Sequence, residues 1–397
     1  MVEKQNNTQS CITDKVTGAI LVATFAYAFA NCLGNVLVNE FIDAFQLTGT
    51  AQGIVSSLIN LGLMLALIAA PLLQGRIPKM TMLMIAGLLQ VVMLVVSGSV
   101  NLFAIFAVAM VFLGVGFGWL DSYVNSCMVD VHPNDSPKYL GLLHGLFGIG
   151  SLLAPICISW MLLKTNWRGV HFALAALVLL SIAYVAVVGK KNGRNCAILP
   201  VQEQRLSYKD ILAYVRQKKN LSLLLCAGLT AMAQTGLCCW IVRYMTVEYN
   251  AAAMGASCLS AFWICATLNR FITPRFPYKP LTMVLVGSAL TAVFLTIGVW
   301  SGNPVVMLIM TALIGLVSGH FIPMLVSEGA KGHAGNTTLT TSLLMLIMGI
   351  GRVIIPLVMA GFTTMISARA SMMVPVVTAV LGAIAALFTI RLSKGNL

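Results

Sequence analysis

Charge is what this sequence has least of. Only 9% of its 397 residues are charged and only 11 are acidic, whereas charged residues make up about 25% of a soluble domain. With 59% hydrophobic residues and a mean hydropathy of +0.93, the composition excludes an ordinary soluble globular fold and leaves a membrane protein.

Catalytic and cofactor signatures are missing as well. There is no HExxH, no GxSxG and no cluster of Cys and His ligands, so neither a metal centre nor an activated nucleophile is in prospect. No GxxxxGK[ST] is present to drive a pump with ATP. The ten cysteines contain no CxxC, and Cys32, Cys157, Cys226 and Cys265 sit inside apolar runs, where a thiol behaves as a small hydrophobe. These absences argue against an enzyme, a metal, a cofactor and a disulfide framework. The longest polar interruption is about thirty residues, so no sizeable soluble domain is expected.

What the chain does have is long apolar runs. A bilayer-spanning helix needs roughly 20 mostly apolar residues, and twelve such runs are read at 17–41, 52–73, 80–99, 102–127, 138–163, 168–189, 221–245, 253–273, 281–301, 303–327, 337–362 and 371–391. The first is full length and follows a polar stretch of sixteen residues without a basic n-region, which is unlike a cleaved signal peptide. The spacing predicts an all-α membrane protein of twelve transmembrane helices in two pseudo-symmetric six-helix bundles, 1–189 and 221–397, joined by a loop at 190–220.

The net charge of +13 is a topology signal rather than a nucleic-acid footprint, because the cations cluster in alternate loops. Arg76, Lys79, Lys138, the run from Lys190 to Lys219, Arg270 to Lys279, Lys331, Arg391 and Lys394 are assigned to one side. The other holds only Lys164, Arg168, Arg243 and Arg369. By the positive-inside rule both termini are expected in the cytoplasm, and the protein in the inner cell membrane.

The halves repeat. Gly114 and Gly118 recur as Gly315 and Gly319, and Gly148-Ile149-Gly150 with Pro155 recurs as Gly349-Ile350-Gly351 with Pro356, all displaced by 201 residues. Thr81 and Thr282 share that offset. One offset held across two consecutive helices points to duplication.

A charge at the bilayer centre costs at least ~2.5 kcal/mol on insertion scales, so intramembrane ionisable residues are functional candidates by default. They are Asp121, His144, His320 and Arg352, with Glu40, Asp43 and Arg243 nearer the membrane faces. Asp121 is the one deep acid among them. Gly114, Gly118, Asp121 and Asn125 fall on one helical stripe, which places an acid and an amide on a face that small residues open to close approach. Asp121 and His144 flank one turn at similar depth, where a carboxylate–imidazole pair could exchange a proton. Arg352 binds an anion or pairs with an acid. Asn31, Asn35 and Asn39 form a polar stripe on the first span, while Gln234, Trp240 and Trp119 offer a polar contact and aromatic platforms.

On these residues the chain resembles the major facilitator superfamily, and within it the fucose:proton symporter and sodium-glucose-like branch. Ala30-Asn31-Cys32-Leu33-Gly34-Asn35-Val36-Leu37 with Phe41 is similar to that branch's first helix, where the position of Asn35 commonly holds a coupling acid. Gly114-Val115-Gly116-Phe117-Gly118 leading to Asp121 and Asn125 resembles its fourth helix, and Leu143-His144-Gly145 with Phe147-Gly148-Ile149-Gly150 its fifth. Gln234 stands where related chains often place Glu. The resemblance implies the major facilitator fold and secondary active transport by alternating access.

The expected function is proton-coupled transport of a small polar, sugar-like solute. Asp121 and His144 are the ion-coupling residues, and Asn31, Asn35, Asn125, Gln234, Trp240, His320 and Arg352 the substrate-binding ones. The expected partners are a small-molecule substrate, a proton or sodium ion and the lipid bilayer, with no nucleic acid, and the protein is expected to be a monomer. The alternatives are an organic-anion carrier or exchanger using Arg352, an efflux carrier of amphipathic compounds, and a sensor that does not transport.

Overall fold

The computed structural model describes residues 2–47, 51–192, 205–276, 279–331 and 336–395, without the side chains of 2–14, 51–57 and a few scattered positions that include Asn35 and Asn39. Among the described residues every regular element is helical. The first half comprises α1 (Val2–Asn31), α2 (Leu33–Val36), α3 (Val38–Phe45), α4 (Ala51–Leu73), α5 (Lys79–Ser99), α6 (Phe103–Val131), α7 (Ser136–Leu162) and α8 (Trp167–Asn192). A short α9 (Tyr208–Arg216) precedes α10 (Lys218–Tyr249), α11 (Ala252–Ile272), a 3-10 turn (Thr273–Arg275), α12 (Pro280–Trp300), α13 (Pro304–Ser318), α14 (Phe321–Ala330), α15 (Thr337–Met365) and α16 (Ala368–Lys394).

Among the described residues nine helical stretches are long and apolar enough to cross a membrane, and shorter apolar helices cover Lys15–Asn31, Leu58–Leu73 and Ser257–Ile272. Together they fall on the twelve runs read from sequence. Large apolar side chains such as Leu88, Ile105, Val108 and Leu180 are exposed along these helices, as a bilayer solvent demands. Some buried hydroxyls are satisfied within their own helices: Thr24 donates to the Ile20 carbonyl at 2.8 Å and Thr311 to that of Met307 at 2.7 Å.

Two of the spans are not single helices. The first is interrupted at Cys32 and Leu37, around Gly34 and its asparagines, residue types that form helix poorly because Gly is conformationally free and Asn competes for backbone hydrogen bonds. The tenth is interrupted at Gly319–His320, between α13 and α14. Pro323 lacks an N–H, so the Gly319 carbonyl four residues earlier loses its helical partner.

The chain forms two compact units. The first contains 1–136, 146–206 and 334–342, so the start of α15 packs with it; the second contains 137–145, 207–333 and 343–397, and takes in the first turns of α7. Within the first unit α1 packs on α8, α4 on α6, and α5 on both α6 and α8. Within the second, α10 packs on α16, α11 on α13, and α12 on both α13 and α16. These are the same pairings transposed, which gives the sequence repeat a structural counterpart.

The repeated glycines make those contacts possible. A Cβ on Gly114 would run into the Ile59 backbone of α4, and one on Gly315 into the Phe262 backbone of α11. Gly118 meets the α4 backbone at Leu63 and Gly319 the α11 backbone at Ala266 in the same way. On the next helix of each half, Gly150 faces Ala28 of α1 and Gly351 faces Gly228 of α10. Where lipid tails are as apolar as side chains, such close backbone approach is a main source of helix association.

Candidate functional site

In the first unit, Asp121 lies half-buried in the middle of α6, a helix of 29 residues. Asn125, one turn further on, is fully buried; its amide donates to the Asp121 backbone carbonyl at 2.8 Å and approaches the Asp121 carboxylate at 3.4 Å. The predicted acid–amide stripe therefore exists, with the amide turned back onto the acid's own residue. Trp119 lies two residues before Asp121, and its Nε1–H is shielded and has no hydrogen-bond partner among the described residues, so it is a donor available to a ligand. Asn31 ends α1 half-buried beside the first break. Asn35 lies on α2, but its side chain falls outside the described residues.

Pro155 inside α7 frees the Ser151 carbonyl, and the Cys32 thiol at the first break approaches it at 3.7 Å. The break of the first span is thus tied to the kinked part of α7.

A second polar constellation of the first unit was not legible as a site in the sequence. Lys79, the first residue of α5, reaches Asp130 near the end of α6, Nζ to Oδ2 at 2.5 Å, and it also donates to the Thr337 hydroxyl at the start of α15. Thr337 in turn donates to Asp130 Oδ1 at 3.0 Å. One turn further along, Thr338 donates to Ser126 at 3.3 Å, and beyond it Ser342 lies 2.7 Å from Ser122. Asp130, Ser126 and Ser122 recur every four residues on α6 and form one polar stripe that the start of α15 covers. Gln74 closes the arrangement: its Oε1 accepts the Leu339 N–H at 2.8 Å and its Nε2 donates to Asn336 Oδ1 at 2.7 Å, which supplies an amide of the first turn of α15 with an acceptor. In the sequence Lys79 counts as a topological loop charge, and Asp130 carries no mark of its own. The one available signal was an acid and a base facing each other across the ends of consecutive spans.

In the second unit the substrate candidates surround the break of the tenth span. The carbonyls of Ser318 and Gly319, at the end of α13, accept from side chains instead of from the following turn. Gln234 Nε2 donates to Ser318 at 2.7 Å, and Arg270 Nε donates to Gly319 at 3.0 Å. Non-helical backbone inside a membrane is tolerated where its polar groups find such partners. The Gln234 amide donor predicted to meet substrate is therefore engaged with the backbone. His320 is buried at the break, its Nδ1 3.0 Å from Asn269 Oδ1, and Asn269 donates in turn to Thr273 at 2.6 Å. Trp240 is half-buried and donates its Nε1–H to Thr363 at 2.9 Å, which fixes the plane of the ring.

His144 is also buried, and its backbone carbonyl accepts from Arg270 Nη1 at 3.3 Å. Asp121 belongs to the first unit and His144 to the second. Arg352 is exposed on α15, and no salt bridge involves it among the described residues. Arg270, grouped in the sequence with loop cations, is instead a buried residue of α11, which continues to Ile272.

Broken apolar helices, an acid within a span and a duplicated pattern of helix pairs define a multi-pass membrane carrier. A family model described as Major Facilitator Superfamily matches residues 19–335, and the chain belongs to that superfamily of transporters. No curated protein sequence matches it. Among solved structures it is similar to FucP in the outward conformation, with 18% identity over 94% of this chain and 98% of that one and a TM-score of 0.76; FucP is the E. coli fucose:proton symporter. It is also similar to the human organic anion transporter MFSD10, with 14% identity over 95% and 99% of the two chains and a TM-score of 0.72. The proton:xylose symporter XylE matches with 13% identity over 96% of each chain and a TM-score of 0.68. At these identities the likeness establishes the fold, a major facilitator fold.

Proposed function

We propose that this transporter couples the movement of a small polar, sugar-like solute to protons by alternating access. Asp121 is the proton acceptor and His144 its tuning partner, while Asn31, Asn35, Asn125, Gln234, Trp240, His320 and Arg352 serve the solute. The observation that carries the reading is Asp121 itself, a half-buried acid in the middle of an apolar spanning helix. A carboxylate is expensive there, and a carrier that alternates access can use that expense by loading a proton on one side and releasing it on the other. Two of the similar structures, FucP and XylE, are described as proton symporters of sugars. Residence in the inner cell membrane as a monomer, with both termini cytoplasmic and bundles at 1–189 and 221–397, belongs to the same proposal.

In proteoliposomes an inward proton gradient should drive uptake, and Asp121→Asn should abolish concentrative uptake while leaving counterflow exchange intact. A variant that still concentrates solute normally would remove Asp121 from coupling.

A second reading, transport of an organic anion held by Arg352, is favoured by one observation: Arg352 carries its charge without a salt bridge among the described residues. The similar MFSD10 is described as an organic anion transporter. On this reading Arg352→Gln loses binding of a carboxylate substrate and keeps the fold. Unchanged affinity eliminates it.

A further inference from the structure

A cavity of about 120 Å³ lies within the second unit, lined by Lys138, Tyr139 and Leu142 of α7, Arg270 and Phe271 of α11 and Arg275 of the 3-10 turn. It is far larger than the ~10–15 Å³ that one water requires. Three of its six lining residues are cations and none is an acid. Lys138 and Arg275 are exposed, whereas Arg270 is only 7% exposed.

Arg270 gives the cavity its character. Its Nε and one Nη1 hydrogen are used on the neutral carbonyls of Gly319 and His144, which leaves three of the five guanidinium N–H groups without an acceptor among the described residues. No salt bridge involves it among the described residues. Among the described residues this buried guanidinium meets carbonyls and no acid, so its hydrogen-bond geometry is set while its charge is not offset there, the condition that an incoming anion relieves. The wall beside it is closely packed: a Cβ on Gly145 of α7 would come within 2.4 Å of the Phe271 ring, so α7 and α11 already touch there.

We propose that this cavity binds a phosphate group, as the headgroup of an anionic lipid or as a free phosphate. A tetrahedral oxyanion offers oxygens to three cations at once, and the guanidinium fork of Arg270 matches two of them. The cavity lies where α7 begins and α11 ends, the depth at which headgroups meet helix termini. The carbon of Tyr139, Leu142 and Phe271 suits the apolar part of a lipid that continues from the phosphate. Basic pockets between spanning helices are the usual receptors for such headgroups.

The test uses the full chain purified in detergent, its thermal unfolding followed against phosphatidylglycerol, phosphatidylcholine and inorganic phosphate. The double variant Lys138→Gln/Arg275→Gln changes only exposed side chains, and Arg205→Gln/Lys209→Gln, which removes two exposed cations elsewhere, is the control. Phosphatidylglycerol should raise the melting temperature of the unaltered protein and of the control, and phosphatidylcholine should not. The double variant should bind phosphatidylglycerol more weakly by about fivefold for each cation removed. Protection by phosphatidylglycerol alone assigns the lipid headgroup; protection by inorganic phosphate as well, lost in the same variant, assigns free phosphate. The proposal is overturned if neither ligand protects, if phosphatidylcholine protects equally, or if the control loses as much as the double variant.

Discussion

Lys79 and Asp130 form a salt bridge at 2.5 Å, with side chains only 8% and 19% exposed, and both also bond to the Thr337 hydroxyl. A topological charge at the start of α5 is thereby converted into one corner of a three-residue network that joins α5, α6 and the start of α15.

Breaking that pair from one side should be costly. Asp130→Ala leaves a largely buried ammonium beside a hydroxyl, and removal of one partner of a buried pair costs about 3–5 kcal/mol, whereas replacing both partners by apolar residues is often neutral. Thermal unfolding should therefore rank Asp130→Ala well below Lys79→Met/Asp130→Leu. Equal losses in the single and double variants would mean that the pair does not hold this end of the bundle.

Gln74 acts as the cap of α15. Gln74→Ala removes the acceptor of the Leu339 N–H and should cost about 1 kcal/mol, the usual value for a lost helix cap. Gln74→Glu keeps an acceptor at a helix N-terminus, where negative charge is favourable, and should stay closer to the unaltered protein. Hydrogen exchange at the Leu339 amide reads both, with faster exchange expected only for the alanine variant.

The duplicated glycines should fail in parallel. An added methyl at Gly114 or Gly315 meets the backbone of the neighbouring helix, which cannot step aside, whereas at Gly349 it meets nothing within 4 Å. Gly114→Ala and Gly315→Ala should both lower the yield of folded protein, and Gly349→Ala should not. A tolerated Gly315→Ala beside a damaging Gly114→Ala would break the structural equivalence of the two halves.

The short helix α9 should respond to acid. Its Ser207–Asp210 capping box is complete, and hydrogen bonds from the Ser207 backbone and hydroxyl hold the Asp210 carboxyl below its ordinary value of 3.8. A carboxylate with a depressed folded-state pKa contributes stability that is full above its unfolded value and is lost as pH falls through the folded one. The protection factors of the α9 amides, exchange corrected for its intrinsic pH dependence, should therefore be unchanged from neutral pH down toward 4 and fall only at lower pH. In Asp210→Asn that acid step should disappear.

The membrane class, the apolar runs and the duplicated glycine pattern were all legible in the chain, because each is a local demand. A spanning helix must satisfy its own backbone and offer about twenty apolar residues whatever its neighbours are. Close approach likewise requires glycine at fixed positions on one face. Asp121 stood out for the same reason, as an acid in an apolar run, and Asn125 followed from helical periodicity.

Partners were not legible, because periodicity assigns a residue to a face and leaves open what that face meets. Asp130 and Thr337 are 207 positions apart, and only the folded chain brings them onto Lys79. Arg270 counts in the sequence among the loop cations, and only the fold shows it buried with its guanidinium on the Gly319 carbonyl; likewise only the fold shows that the Gln234 amide donor meets the Ser318 carbonyl at the break of the tenth span. By itself the sequence determined which segments cross the membrane, that the two halves repeat and where an acid is buried, since these follow from the energetics of single helices. The tertiary structure alone decided which polar groups are engaged with backbone and which are left for a ligand, because that depends on where helices break and on what lies across the gap.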